Sequence, residues 1–321
     1  MSGEGPSGVD PSGAGPSGVG QREEALPPAG FLLLAGLSMF WGMNWPMMKI
    51  VLAEIPIWPF RSLCLIVGGG ALLIMTTLGG RSLRIAPREF PPLVLCALFN
   101  IVGWHLCSAY GVSLMEAGRA SIIAFTMPVW AALISSLILR EPTTWQRWLG
   151  LALGMAGLAV LIGPDLGTVG RTPWGAAFML GAAVSWGTGT VLIKRFTWSL
   201  PTAALTGWQL LLGAVPISLG ALWIGEAPEV AALSSSALLA TLYVLAMPMI
   251  FCHWAWFKVV SLFPAVVAAM GTLAIPVVGV ISSGLILGEP IGAREIVALV
   301  LVLAALTVVL VLPALRGPRV R

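Results

Sequence analysis

Charge is scarce in this chain. Only 9% of its 321 residues are Asp, Glu, Lys or Arg, against about 25% in an ordinary soluble domain, so water is not the main solvent of its surface. Regular apolar–polar alternation is missing too, which excludes a transmembrane β-barrel. Histidine occurs twice and cysteine four times. With two histidines there is no HExxH; GxSxG and a mid-span acidic pair are also lacking, so no enzymatic machinery is expected. Cys64, Cys96, Cys107 and Cys252 stand singly in apolar runs, without CxxC or metal-ligand spacing. They read as small buried hydrophobes. No metal, cofactor or nucleic-acid partner is expected.

Apolar length is what the chain has, with 58% of residues hydrophobic. A helix crossing the hydrocarbon core needs about 20 apolar residues. Ten such spans are expected, at 31–52, 57–78, 91–114, 118–139, 145–163, 174–195, 203–225, 236–258, 264–287 and 293–313. The fold class is therefore an all-α membrane protein, and the bilayer is its first partner. Residues 1–29 repeat Pro-Ser-Gly at 6–8, 11–13 and 16–18 and are expected to be a disordered tail. Residues 314–321 form a short basic tail. The first apolar run is as long as the others, so it reads as a retained helix rather than a cleaved leader. Lys and Arg concentrate in alternate loops, leaving Lys49, Arg119, Arg171 and Arg294 on the poorer side. That bias predicts a multi-pass protein of the inner cell membrane with both termini cytoplasmic.

The chain also repeats itself. WGMNWPMMK at 41–49 and WGTGTVLIK at 186–194 each run from Trp-Gly to a lysine, at an offset of 145. SSLILREP at 135–142 meets SGLILGEP at 283–290 at an offset of 148, which also pairs Pro128 with Pro276, His105 with His253 and Arg61 with Gln209. The three-residue difference is expected between the sixth and seventh helices. Each copy, 30–163 and 174–313, holds five spans; an odd number makes the second enter the membrane from the opposite side. Such inverted repeats suit transporters that open a midplane site to either face in turn.

The WGxN…K phrase and the P…LxLxEP ending, in this order and duplicated, resemble the EamA family of the drug/metabolite transporter superfamily over roughly residues 31–313. The resemblance implies ten helices, a central cavity between two five-helix repeats, and movement of a small metabolite, amino-acid-like or amphipathic and cationic, often outward. An importer of the same fold, or a passive channel, are the alternatives. One departure is that Gly189 stands where the first copy has Asn44.

Trp41, Asn44, Trp45 and Met48 share one helix face, as do Trp186, Gly189, Thr190 and Ile193. They either line a cavity or pack helices together. Trp41, Trp104, Trp130 and Trp186 fall at mid-span, where stacking and cation–π contacts with a substrate are one role and packing the other. Trp58, Trp145, Trp148, Trp174, Trp198 and Trp223 fall near span ends and read as interfacial anchors. His105 and His253 are either proton relays or neutral hydrogen-bonding groups. The candidate substrate-binding set is Trp41, Asn44, Trp45, Trp104, His105, Trp186, Thr190 and His253. Arg61 reads as a side chain snorkelling to the interface, with carboxylate attraction as the alternative. Glu141 and Glu289 read as structural caps for the helices opened by Pro142 and Pro290. Pro128 and Pro276 are the candidate hinges. The working oligomeric expectation is a monomer.

Overall fold

Apolar residues cover both the inside and the outside of this molecule. Leu37, Val51, Phe60, Leu65 and Ile217 are buried, yet Trp223 is 92% and Leu285 82% exposed. A helix apolar all round belongs in lipid. The computed structural model describes residues 28–139, 144–162, 171–262 and 272–315. Residues 1–27 and 316–321 of the expected tails, Glu141 with Pro142, and the start of the expected ninth span lie outside the described residues, while residues 28–29 and 314–315 are helical. Among the described residues there is no strand.

Each helical rod is numbered once: α1 (Pro28–Leu52), α2 (Ile57–Leu78), α3 (Phe90–Ala97 through Leu98–Gly103 to Trp104–Leu114), α4 (Ala117–Ala124 and Met127–Ile138), α5 (Trp145–Ile162), α6 (Arg171–Arg195), α7 (Thr202–Ile224), α8 (Ser235–Val244 through Leu245–Cys252 to His253–Leu262), α9 (Ala274–Leu287) and α10 (Ala293–Leu306 through Thr307–Val311 to Leu312–Leu315). Eight of these, all but α5 and α9, are long and apolar enough to cross a membrane. Glycine ends α7 and α9: Gly225 (φ 73°) and Gly288 (φ 68°) adopt the left-handed conformation that closes a helix.

Close helix pairs run antiparallel across the middle of the chain. In α2 and α7, Trp58 meets Gly220, Ser62 meets Ser218 and Gly69 meets Leu211, so one number rises as the other falls. In α5 and α10, Gly150 meets Val309, Gly154 meets Ala305 and Gly157 meets Val302. The Gly150–Gly154 pair thus lets α5 approach α10 closely. α4 and α9 cross likewise, Gly118 meeting Ser283 and Ser121 meeting Gly279.

The repeated Trp-Gly phrase has a packing explanation. A Cβ on Gly42 would lie 2.5 Å from Val278 and 3.0 Å from the Ile275 carbonyl of α9. A Cβ on Gly187 would lie 3.2 Å from Trp130 Cβ and 3.2 Å from the Met127 carbonyl of α4. Residues 278 and 275 are the counterparts of 130 and 127 at offset 148. Each phrase therefore presses its helix against the other half's fourth rod.

Several expectations are corrected here. The burial patterns of α2 and α7 superimpose at 145, matching Leu65 with Leu210, Gly68 with Gly213 and Leu72 with Ile217. Arg61 therefore corresponds to Thr206 rather than Gln209, and the register change falls within α8. His253 lies 18 residues after its start at Ser235, against 15 from Phe90 to His105. Glu289 does not cap the helix after Pro290. Its two oxygens accept from the amides of Ala117 (2.7 Å) and Gly118 (2.9 Å), capping α4 across the molecule. Glu295 serves α10 instead, accepting from Gly292 N at 2.9 Å. Of the interfacial tryptophans, Trp145, Trp148, Trp174 and Trp223 are exposed. Trp58 and Trp198 turn inward, donating to Tyr110 Oη and the Ile193 carbonyl, each at 2.9 Å.

Candidate substrate site

The site is built where α1, α2, α3 and α8 meet. α3 and α8 each widen into a π segment, Leu98–Gly103 and Leu245–Cys252. A π turn adds a residue and leaves backbone groups unpaired, which is why such turns recur at functional positions. A histidine follows each widening. His253 sits directly after its π segment, with Nδ1 2.9 Å from the Pro248 carbonyl. A carbonyl only accepts, so Nδ1 carries the proton and Nε2 is left free to accept. Trp41 of α1 meets the His253 ring edge-on, with centroids 5.8 Å apart. His105 is buried, its Nδ1 has no partner, and it lies in electrostatic range of both Arg61 and His253.

Arg61 is the largest departure from the sequence reading. Its side chain does not snorkel: it is 4% exposed. Nη2 donates to Met48 Sδ (2.6 Å) and Ser108 Oγ (3.1 Å), the guanidinium lies 5.5 Å from the Phe60 ring centroid, and Nε has no partner. Burying a charge costs on the order of several kcal/mol unless an opposite charge offsets it. The described acids are engaged or exposed elsewhere: Glu54 on Ser234, Glu89 on Ser199, Glu116 and Glu295 on Arg119, and Glu289 on α4, while Glu226 and Glu229 are exposed.

The other candidate residues divide. Asn44 presents a buried, unpartnered Oδ1 one turn before Met48. Trp45 is buried against Gly279 of α9, a packing position. Trp104 and Trp186 come together, ring centroids 5.0 Å apart. Thr190 bonds back to the Trp186 carbonyl at 2.9 Å, so its hydroxyl is satisfied within α6. Gly189 leaves room for Asn100, whose Nδ2 donates to Gln209 Oε1 at 3.3 Å. Pro128 follows a break at residues 125–126, because its ring clashes with the carbonyl four residues back, at Ala124, where the first segment of α4 ends. Pro276 holds the third position of α9, against the second for Pro128 in Met127–Ile138. The described cavities lie elsewhere: about 710 Å³ beside Leu137, Ile138, Leu139 and Arg195, and about 10 Å³ between α4 and α5.

Two clasps at the ends of the bundle escaped the sequence reading. Glu54, between α1 and α2, accepts from Ser234 N (2.7 Å) and from Ser234 Oγ. Glu89, before α3, accepts from Ser199 N (2.9 Å) and Oγ (3.0 Å). At offset 145 residue 54 corresponds to 199 and 89 to 234, so the clasps are one contact with its partners exchanged. The signal was present: Glu54 and Ser199 each stand two residues before the proline preceding α2 or α7. Lys49 has a local role, donating to the Val112 (2.6 Å) and Met115 (2.5 Å) carbonyls that end α3. Its counterpart Lys194 is exposed.

Known proteins resemble this chain in sequence and fold. A transporter of Bacillus subtilis, YvbV, is 29% identical over 87% of this chain and 90% of its own. A probable amino-acid metabolite efflux pump of Salmonella typhimurium is 25% identical over 86% of this chain and 93% of its own. One solved crystal structure shares the fold, with a TM-score of 0.63 at 20% identity over 90% of this chain and 98% of that one. The EamA-like transporter family matches twice, at residues 28–163 and 173–311. This chain is a multi-pass membrane protein of the EamA-like transporter family.

Proposed function

We propose that residues 30–163 and 174–313 are inverted copies of one five-helix module, and that together they carry a small metabolite outward by alternating access. One chain supplies both copies, so a monomer is complete. The protein sits in the inner membrane in this reading, and the positive-inside bias supports both termini being cytoplasmic. Trp41, Asn44, Trp104, His105 and His253 face the transported molecule, and Pro128, after the break in α4, and Pro276, near the start of α9, act as hinges. Outward movement is supported by the printed name of the Salmonella relative.

The observation that carries this reading is partner exchange: Glu54 on Ser234 against Glu89 on Ser199, and Gly42 on α9 against Gly187 on α4. Such contacts arise when two like units pack about a two-fold axis. With antiparallel α2 and α7, the axis lies in the membrane plane. The clasps then sit at opposite faces, and release of one while the other holds is what alternating access demands. The test is two-sided accessibility of single cysteines at Lys49 and Lys194, combined with flux in proteoliposomes. Labelling from opposite faces and saturable flux are expected; labelling from one face refutes the inverted arrangement, and linear flux a carrier.

A further inference from the structure

Arg61 is a permanent cation sealed among neutral groups: Met48, Ser108, the ring of Phe60 and Cys64. Guanidinium remains protonated in proteins, so its charge cannot be shed. Among the described residues no carboxylate pairs with it. Ser108, itself buried, also bonds to the His105 carbonyl at 3.3 Å and so orients its hydroxyl beside the guanidinium. Along the same face of α1, Asn44 stands one turn from Met48 with an unpartnered Oδ1, and Trp41 stands nearly two turns away, about 10 Å at 1.5 Å per residue.

We propose that Arg61 is the anion-binding residue of the transport site, and that the solute it holds is a small monocarboxylate with a flat apolar body. This rests on the carrier reading and names the chemistry of its cargo. Among the described residues Arg61 is the one buried Lys or Arg, Lys49 being spent on the Val112 and Met115 carbonyls. A single guanidinium matches a single negative charge, and its planar fork matches the two oxygens of a carboxylate. The body of the solute extends along α1 past Asn44, which accepts a hydrogen bond from it, to the indole of Trp41. The second half offers no equivalent, because Thr206 holds the matching position with its hydroxyl bonded to the Thr202 carbonyl at 3.0 Å. The site is therefore one-ended and orients its cargo.

The test compares indole-3-acetate with indole-3-acetamide, equal in shape and differing in charge, and with chloride, using the full-length protein in detergent and in liposomes. Indole-3-acetate is expected to raise Tm saturably, by about 2–4 °C near ten times Kd, and the amide and chloride are expected to leave it unchanged. Arg61→Met should abolish the shift and Arg61→Lys reduce it. Equal shifts with acid and amide, equal shifts with chloride, no shift with the acid, or a shift that survives Arg61→Met would each overturn the proposal. If Arg61→Met fails to fold, the native acid–amide difference and its weakening in Arg61→Lys decide alone. Flux separates this from the carrier reading. Saturable amide transport without acid preference sinks the carboxylate site and leaves the carrier. An acid-specific Tm shift without flux of either compound keeps the site and sinks the carrier.

Discussion

The two halves spend the same architecture differently. Each presses its Trp-Gly helix onto the other's fourth rod, each contributes one partner to each clasp, and each inserts a π segment before its histidine. The first half fills that frame with unpaired polar groups: Asn44 Oδ1, Arg61 Nε and His105 Nδ1. The second puts Gly189 and Thr206 at the counterparts of Asn44 and Arg61, and anchors His253 on its own backbone. The shared contacts hold the halves together, whereas Asn44 and Arg61, whose counterparts are other residue types, keep bonding capacity to spare. Symmetry thus serves assembly, and its local loss leaves the polar groups that the proposed site uses.

The sharpest way to break this comparison is to treat counterparts alike. Arg61→Met should lower carboxylate flux about 10- to 100-fold, the worth of a charge-assisted hydrogen bond, while Thr206→Met changes it less than about two-fold. Equal losses, measured by initial rates in proteoliposomes, would make the polar asymmetry irrelevant. Asn44→Ala and Trp41→Ala come next, reducing flux about ten-fold with the folded protein still in the membrane; normal flux in both would remove that face of α1 from the site.

Steric changes test the shared frame. Gly42→Val and Gly187→Val should each cost about 1–3 kcal/mol through overpacking, read as matching falls in Tm. A large loss in one and none in the other would show that the phrase has different work in each half. The clasps come next in size. Glu54→Gln and Glu89→Gln should each raise cysteine accessibility about two- to five-fold, from opposite faces. The bonds from Ser234 hold the Glu54 carboxyl below its ordinary 4.5. Its clasp therefore persists at neutral pH and is lost as pH falls through that lowered value. The smallest effect is expected at His105→Gln, with unchanged dependence of flux on a pH gradient; loss of that dependence would make His105 a proton carrier.

Much of the fold was legible because lipid imposes simple rules. Each rod must satisfy its own backbone and stay apolar for about 20 residues, and both properties are local. Pro128 announced the break in α4 for the same reason, since the clash it makes lies four residues back along the chain. The site was only half legible. Trp41 and His253 were named separately, but their contact joins residues 212 apart in the sequence. Arg61 was misread because its place near a helix end allowed an escape to the interface; α1 and α3 close over it instead. The register slip at Gln209 has a similar origin. A constant offset of 148 would run through α7, whereas the change falls later, in α8, where His253 lies 18 residues after Ser235 against 15 from Phe90 to His105.

The sequence by itself determined that this chain lives in a bilayer, that it is written twice, and that most of its charges sit at loops or span ends. These follow from hydropathy and order, which need no partner to be read. Only the tertiary structure decided which charge is buried, which acid caps which helix, and that Glu54 and Glu89 each clasp a serine of the other half. Those contacts depend on how rods distant in sequence cross one another, and rod packing is set by side-chain shape on faces that the linear pattern leaves equally apolar.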